Sequence, residues 1–321
     1  MNSEQITRPI VLACDAAYAM PLATTLRSIV EANRNNWPLD FHVLSEGFSD
    51  DTKRRVFDSL PGGAASIRWL PVDLSPFGDF ATLSHISKMT YSRFLIPSIF
   101  PDTVSKVLYL DADLLVLDDL NALWETDLEG AVLGAVKDAL DTYVKSNEEA
   151  FAEVPRLKEI PRVRNYFNAG VLLIDLDRWR EEQISEKSLK YLAQHPTLPF
   201  ADQDALNVIC DGLWKQVKAR WNFQDHYEKR ISDMNPDVRP GIVHFVTRFK
   251  PWKPSSASVN ALFYDAFRNR TLFARTPQEK LWEVFEGIWC RFRSILWRSA
   301  FYQLIKSRLK FVLYKVAVKS M

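Results

Sequence analysis

Short apolar runs alternate with stretches of helical periodicity through the first 120 residues, and few architectures accommodate that order. Pro9–Ala13 (PIVLA) is long enough for a strand and too short for a helix. Ala19–Glu31 follows with Leu22, Leu26, Ile29 and Val30 on one stripe, the spacing of a helix with one buried face. The same reading predicts strands at Phe41–Leu44, Ser66–Leu70 and Lys106–Leu110, and helices at Asp50–Leu60 and Tyr91–Phe100. Strands that are apolar at successive positions are buried on both faces, so the expected fold is α/β with a mostly parallel central sheet between helical layers. Such sheets bind ligands outside the carboxyl ends of their strands. Asp15, Asp111 and Asp113 fall at such ends.

Residues 141–167 are polar and carry Pro155 and Pro161, which predicts a loop-rich excursion. Phe167–Asp175 (FNAGVLLID) returns to strand, helices are expected at Asp177–Glu182 and Gln203–Cys210, and Ile242–Phe245 reads as the last strand. Pro251, Pro254, Ser255, Ser256 and Ser258 then mark a linker. The expected division is a catalytic domain at 1–252, a linker at 253–276 and a helical tail at 277–321. No glycine-rich phosphate loop of the G-x-x-x-x-G-K-[ST] or G-x-G-x-x-G type occurs.

Charge narrows the choice of partners. Lys and Arg number 41 against 40 Asp and Glu, so the chain as a whole is not an electrostatic binder of nucleic acid. Beyond Glu286 there are eight basic residues and no acidic one, which leaves residues 1–286 with 33 basic against 40 acidic, a net of −7. The three cysteines form no C-x-x-C pair and suit a reducing compartment. The N-terminus is polar without a signal-peptide core, and no window reaches the roughly 18 uninterrupted apolar residues of a membrane span. A cytoplasmic protein, peripheral on the inner face of a membrane, is expected.

Leu110-Asp111-Ala112-Asp113 carries the strongest chemical signal. In an extended chain residues i and i+2 share a side, so the two carboxylates lie about 6–7 Å apart and can share a divalent cation. A solvated turn is the competing reading. His244 lies in an apolar strand and is followed by Arg248, Lys250, Pro251 and Trp252. Imidazole with two carboxylates suits Mn²⁺ better than Mg²⁺, which is the second choice. Lys250 supplies a point charge for a phosphate.

Seven segments in order then carry a resemblance: Val11–Tyr18 (VLACDAAY), Phe41–Ser45 (FHVLS), His85–Phe94 (HISKMTYSRF), Lys106–Val116 (KVLYLDADLLV), Tyr166–Leu176 (YFNAGVLLIDL), Asp202–Asn207 (DQDALN) and His244–Trp252. Together they make the chain similar to the family 8 retaining glycosyltransferases, the bacterial lipopolysaccharide galactosyl- and glucosyltransferases and, more distantly, glycogenin. The resemblance implies a nucleotide-sugar-binding fold of the GT-A type, a UDP-hexose donor, Mn²⁺, and a saccharide or glycolipid acceptor. It implies Asp111, Asp113 and His244 as metal ligands, and Ala13, Asp15 and Tyr18 around the uracil. It further implies donor contacts from Arg93, Ala112, Asn168, Ala169 and Lys250, with Asp138 a further candidate at the sugar. Asp202 and Gln203 would sit beneath the reactive carbon, although Asp202 would equally serve as a helix cap. His85 is a candidate on the acceptor side. Gln203 is an amide and a poor nucleophile, so retention is expected by same-face attack, with Asp202 the carboxylate for a covalent route.

Two positions depart from the family pattern. Ala16 and Ala17 replace the usual Asp-Asn before the stacking Tyr18, and Thr247 replaces a Gly after His244. A phosphatase of the haloacid dehalogenase type and a catalytically inactive sugar-binding module remain as alternatives. In the tail, Trp282, Phe285, Ile288, Trp289, Phe292, Ile295 and Leu296 recur at helical spacing opposite the basic residues. That pattern predicts amphipathic helices docked on an anionic membrane surface, the competing reading being packing on the body or in a homo-oligomer.

Overall fold

The computed structural model describes residues 8–33, 38–62, 65–77, 87–139, 163–196, 198–225, 239–246, 250–253 and 258–298. Seven strands form one sheet in the order β3-β2-β1-β4-β7-β6-β8: β1 Arg8–Asp15, β2 Leu39–Glu46, β3 Ala65–Pro71, β4 Lys106–Leu110, β6 Leu133–Lys137, β7 Phe167–Asp175 and β8 Trp214–Gln216. Pairing is parallel except on either side of β7, which runs against both β4 and β6. The sheet is therefore mostly parallel, as expected.

The apolar strands feed two cores because successive side chains point to opposite faces. Ile10, Leu12, Leu108, Leu110 and Leu173 join one cluster with Leu22, Leu26 and Ile29 of the helix Ala19–Ala32. Val11, Val107, Tyr109, Leu172 and Ile174 join the other, with Phe94, Trp179 and Leu206. This is the physical content of a strand that is apolar at every position.

A second, three-stranded sheet, β5-β10-β9, grows from the end of β4 and contains β5 Leu114–Val116, β9 Phe223–Gln224 and β10 Ile242–His244. Asp111, Ala112 and Asp113 are thus the junction where the chain leaves one sheet and enters the other. Thr25 pins this junction, its hydroxyl lying 3.0 Å from the Ala112 carbonyl and 2.8 Å from that of Leu114. The β10 register sets His244 opposite Leu114.

Three expectations change. Tyr91–Phe100 is not one helix: a 3₁₀ stretch, Lys88–Leu95, passes into the short helix Ile96–Ile99. Pro97 has no N–H to donate to Arg93, so a regular helix cannot run through it. The segment 253–276 is not a free linker either, because it contains the helix Ala261–Arg268 packed on Ala19–Ala32, with Tyr264 fully buried. Its Tyr264, Phe263 and Phe267 form an apolar cluster with Phe245 and Trp252. The helix predicted to start at Asp177 spans Leu176–Glu181, and a second one, Ile184–Gln194, follows Gln183, whose φ is 54°.

In the tail, one helix spans Pro277–Arg298. Thr247, Arg248, His85, Pro254–Ser256, the excursion at 141–162 and the tail beyond residue 298 lie outside the described residues. Among the described residues, no helix is long and apolar enough to cross a membrane.

Candidate active site

Asp111, Asp113 and His244 converge, with one ligand atom from each lying within 4.8 Å of the others. His244 Nε2 stands 3.5 Å from Asp111 Oδ2 and 3.2 Å from Asp113 Oδ1. Among the described residues, Asp113 Oδ1 is buried and receives no hydrogen bond, whereas Oδ2 accepts one from Lys250 Nζ at 2.6 Å. Burial pushes the Asp113 carboxyl up, but the Lys250 ammonium overrides it and holds the group well below the usual carboxylate range. The same ammonium donates to the Phe245 carbonyl at 2.6 Å. Behind the triad runs Gly170 of β7, where an added Cβ would lie 2.1 Å from His244 Cε1 and 2.7 Å from Asp111 Oδ2. A borderline nitrogen and two hard oxygens, one of them orphaned, fit a divalent cation.

Arg93 occupies the middle of the cleft and is only 4% exposed. Its Nε lies 2.8 Å from Asp202 Oδ2, Nη1 donates to the Ala169 carbonyl at 2.7 Å, and Nη2 reaches Asp111 Oδ1 and the Tyr109 hydroxyl, each at 3.3 Å. Tyr109 itself donates to Asp111 Oδ1 at 2.8 Å. Protein acceptors thus surround the guanidinium, which joins Asp111 of the Asp111–Asp113–His244 triad to Asp202. Asp202 also accepts a hydrogen bond from the Thr90 hydroxyl. Burial raises its carboxyl to about 6, against the opposing pull of Arg93.

Farther along, Gln203 accepts from the Ala169 N–H at 3.0 Å and donates to Asp138 Oδ2 at 3.2 Å. Asn168 donates to the same carboxylate oxygen at 3.0 Å. Gln224 braces this corner by accepting from Ala139 N–H and donating to the Lys137 carbonyl, both at 2.9 Å. Beneath lies Asp204, which accepts from Tyr166 and from the Phe200 N–H and is raised to about 7 by burial.

At the other end, Ala13 and Asp15 close β1. Asp15 Oδ1 accepts from Ala17 N–H at 3.0 Å and Oδ2 from the Ser87 hydroxyl at 2.8 Å, so the carboxylate caps the 3₁₀ turn Ala16–Tyr18. Tyr18 packs edge-on against Trp252, with ring centroids 5.8 Å apart. Burial, then the nearby charges of Asp113 and Asp111, push its hydroxyl up.

Hydrogen bonds and ion pairs thus link Asp111, Arg93, Asp202, Ala169, Gln203, Asp138 and Asn168, and place His244, Asp113 and Lys250 beside Asp111, while Ala13 and Asp15 close the neighbouring strand β1. The reading of the sequence overlooked Gly170, Thr90, Tyr109, Asn222 and Gln224. Gly170 follows Asn168 and Ala169 in the very block that carries the resemblance, and Asn222 and Gln224 flank Phe223 in a short polar–aromatic run. Nothing in the local pattern of Thr90 or Tyr109 separates them from packing residues.

Comparison with known proteins agrees with this geometry. The sequence model of the family described as glycosyl transferase family 8 matches residues 9–255. General stress protein A of Bacillus subtilis is 29% identical over 80% of this chain and 91% of its own length. Lipopolysaccharide 1,3-galactosyltransferase of Salmonella typhimurium is 26% identical over 76% of this chain and 72% of its own. A crystal structure of galactosyltransferase LgtC with donor and acceptor sugar analogues matches with a TM-score of 0.70 at 30% identity, covering 86% of this chain and 99% of that one.

Proposed function

The chain belongs to glycosyl transferase family 8, and from that premise we propose that it moves a hexose, galactose or glucose, from a UDP-sugar to a saccharide of a cell-surface glycan or glycolipid, with retention of anomeric configuration. The observation that carries this reading is the Asp111–Asp113–His244 triad at the junction of the two sheets, with Lys250 beside it. Mn²⁺ is the proposed ion; when bound, it supplies a Lewis acid for the departing diphosphate. Asp111, Asp113 and His244 would hold it, and Lys250 would turn part of its charge toward the phosphates. Tyr18 and Trp252 would receive the uracil. Asn168, Ala169, Asp138 and Gln203 would hold the sugar.

Same-face attack is the proposed route, with the leaving phosphate oxygen taking the acceptor's proton. Gln203 offers only an amide, and Asp202 is 3% exposed and held by Arg93 and Thr90, a poor setting for a nucleophile.

The test is a panel of nucleotide sugars assayed for nucleotide release with and without Mn²⁺. UDP release from UDP-galactose or UDP-glucose that needs the ion is expected; turnover of only GDP- or CMP-sugars would sink the proposal.

We propose further that the tail docks the enzyme on an anionic membrane surface. On the helix Pro277–Arg298, Leu281, Trp282, Val284, Phe285, Ile288, Trp289 and Phe292 are all exposed, and basic residues alone supply the formal charge beyond Glu286. The full chain should sediment with anionic liposomes, less so as salt rises, and a chain ending at Arg275 should not. Sedimentation of both to the same extent would remove the tail from membrane binding.

A further inference from the structure

A metal-ligating imidazole works only if the nitrogen facing the ion carries a lone pair, and a hydrogen-bond partner on the other nitrogen settles which tautomer is present. Here the partner can be worked out from the far side of the cleft. Asp138 is a carboxylate and accepts, so the Asn168 atom 3.0 Å from it is the amide Nδ2. Asn168 Oδ1 then points the other way, where Gly170 N–H donates to it at 3.0 Å. The Asn222 atom 2.8 Å from that oxygen must donate, and is Nδ2. Asn222 Oδ1 is left 3.1 Å from His244 Nδ1. An amide oxygen only accepts, so Nδ1 bears the hydrogen, and in the neutral ring Nε2 then turns its lone pair toward Asp111 and Asp113.

We propose that Asn222 is a positioning residue for the metal centre, holding His244 as the Nδ1–H tautomer through the relay Asp138–Asn168–Asn222. The proposal rests on the metal reading above. Asn222, Asn168 and His244 are 2%, 6% and 4% exposed, so water does not compete for these bonds. Asn222 ends the 3₁₀ turn Ala219–Asn222 immediately before β9, which pairs with β10 and so holds the amide in register with His244. In the neutral ring the relay leaves a lone-pair nitrogen 3.2 Å from the buried Asp113 Oδ1. Two acceptors face each other there, an arrangement that a cation between them relieves. Asn168 has a second consequence: its amide orientation is fixed by Asp138, so the proposed sugar end and the metal end share one chain of hydrogen bonds.

The experiment uses the full chain in two arms. ¹⁵N-histidine spectra of the metal-free protein, with His244 assigned by the loss of its signals in His244→Gln, read the tautomer. Titration with Mn²⁺ alone, followed by the paramagnetic signal of free ion, reads affinity. The wild type should give the Nδ1–H pattern. Asn222→Leu, of similar volume but with no acceptor, should lose that pattern and bind Mn²⁺ about 10–100-fold more weakly. Asn222→Asp, which restores an acceptor for Nδ1–H, should recover about ten-fold of that loss. An Nε2–H pattern in the wild type overturns the proposal even if the variants fail to fold. So does an Asn222→Leu protein that melts like the wild type and binds Mn²⁺ equally well. If the wild type shows Nδ1–H but binds no Mn²⁺, the relay stands as the tautomer's cause and the metal reading falls.

Discussion

The two ends of this hydrogen-bonded network treat buried carboxyl groups in opposite ways. Beside His244 and Lys250, Asp113 is 8% exposed, yet it is held well below the usual carboxylate range. At the start of the helix Asp202–Ile209, Asp202 and Asp204 are buried to a similar depth and are raised to about 6 and about 7. Burial acts on all three in the same direction. The difference is the cation: Lys250 gives its charge to Asp113 at 2.6 Å, Arg93 divides its own among Asp202, Asp111 and neutral acceptors, and Asp204 accepts from Tyr166 and a backbone N–H, with no cation on it among the described residues. A buried carboxylate keeps its charge where a counter-charge is dedicated to it.

The largest expected break in this contrast is Asp113→Ala. It removes a proposed ligand and the group Lys250 neutralises, and Mn²⁺-dependent UDP release should fall about 10³-fold, the equivalent of several kcal/mol of transition-state stabilisation. Unchanged turnover and metal dependence would show that the triad is not the ion's site.

Lys250→Met tests the counter-charge itself. Leaving Asp113 buried and unpaired should lower stability by about 3 kcal/mol in urea unfolding without metal. Saturating Mn²⁺ should restore more stability to the variant than it adds to the wild type, because the ion then takes over the missing charge. Equal gains in both would sever Lys250 from the metal centre.

Gly170→Ala attacks the same end by crowding. The new Cβ would meet His244 and Asp111, so weakened Mn²⁺ binding with a loss of about 2 kcal/mol in stability is expected. The corresponding change at Gly212, with φ of 80° and open space around its Cβ, is the control for backbone strain. Comparable Mn²⁺ affinity in both variants would contradict the cradle.

The smallest effect sharpens the Asp204 side of the contrast. Because the folded-state carboxyl of Asp204 is raised from 3.8 to about 7, its contribution to stability is fully present below about pH 4 and is lost as pH rises through 7. The wild-type melting temperature should therefore fall more between pH 5 and pH 8 than that of Asp204→Asn, by about 2–4 °C. Parallel melting curves would mean that Asp204 is not raised.

The sequence by itself determined the first half of the sheet and the chemistry at its edge. An apolar run such as KVLYL fixes burial on both faces because alternate side chains supply two cores, and D-x-D fixes two carboxylates where that run stops. The ordered resemblance brought His244, Asn168 and Gln203 into the same site. Periodicity carries no strand direction, however, so the reversal of β7 is illegible in it, as are the three-residue strand β5 and its pairing with β10, which brings His244 to the two aspartates. Pro251 and the serines beyond it gave a linker signal, but the burial of Tyr264 against the catalytic body overrode it. Only the tertiary structure decided which carboxylate receives Lys250, why a Cβ at position 170 would collide with His244, and which amide oxygen faces Nδ1 of His244. Each depends on atoms brought within about 3 Å by segments far apart in the chain, a distance set by the packing of the whole sheet and by no local pattern.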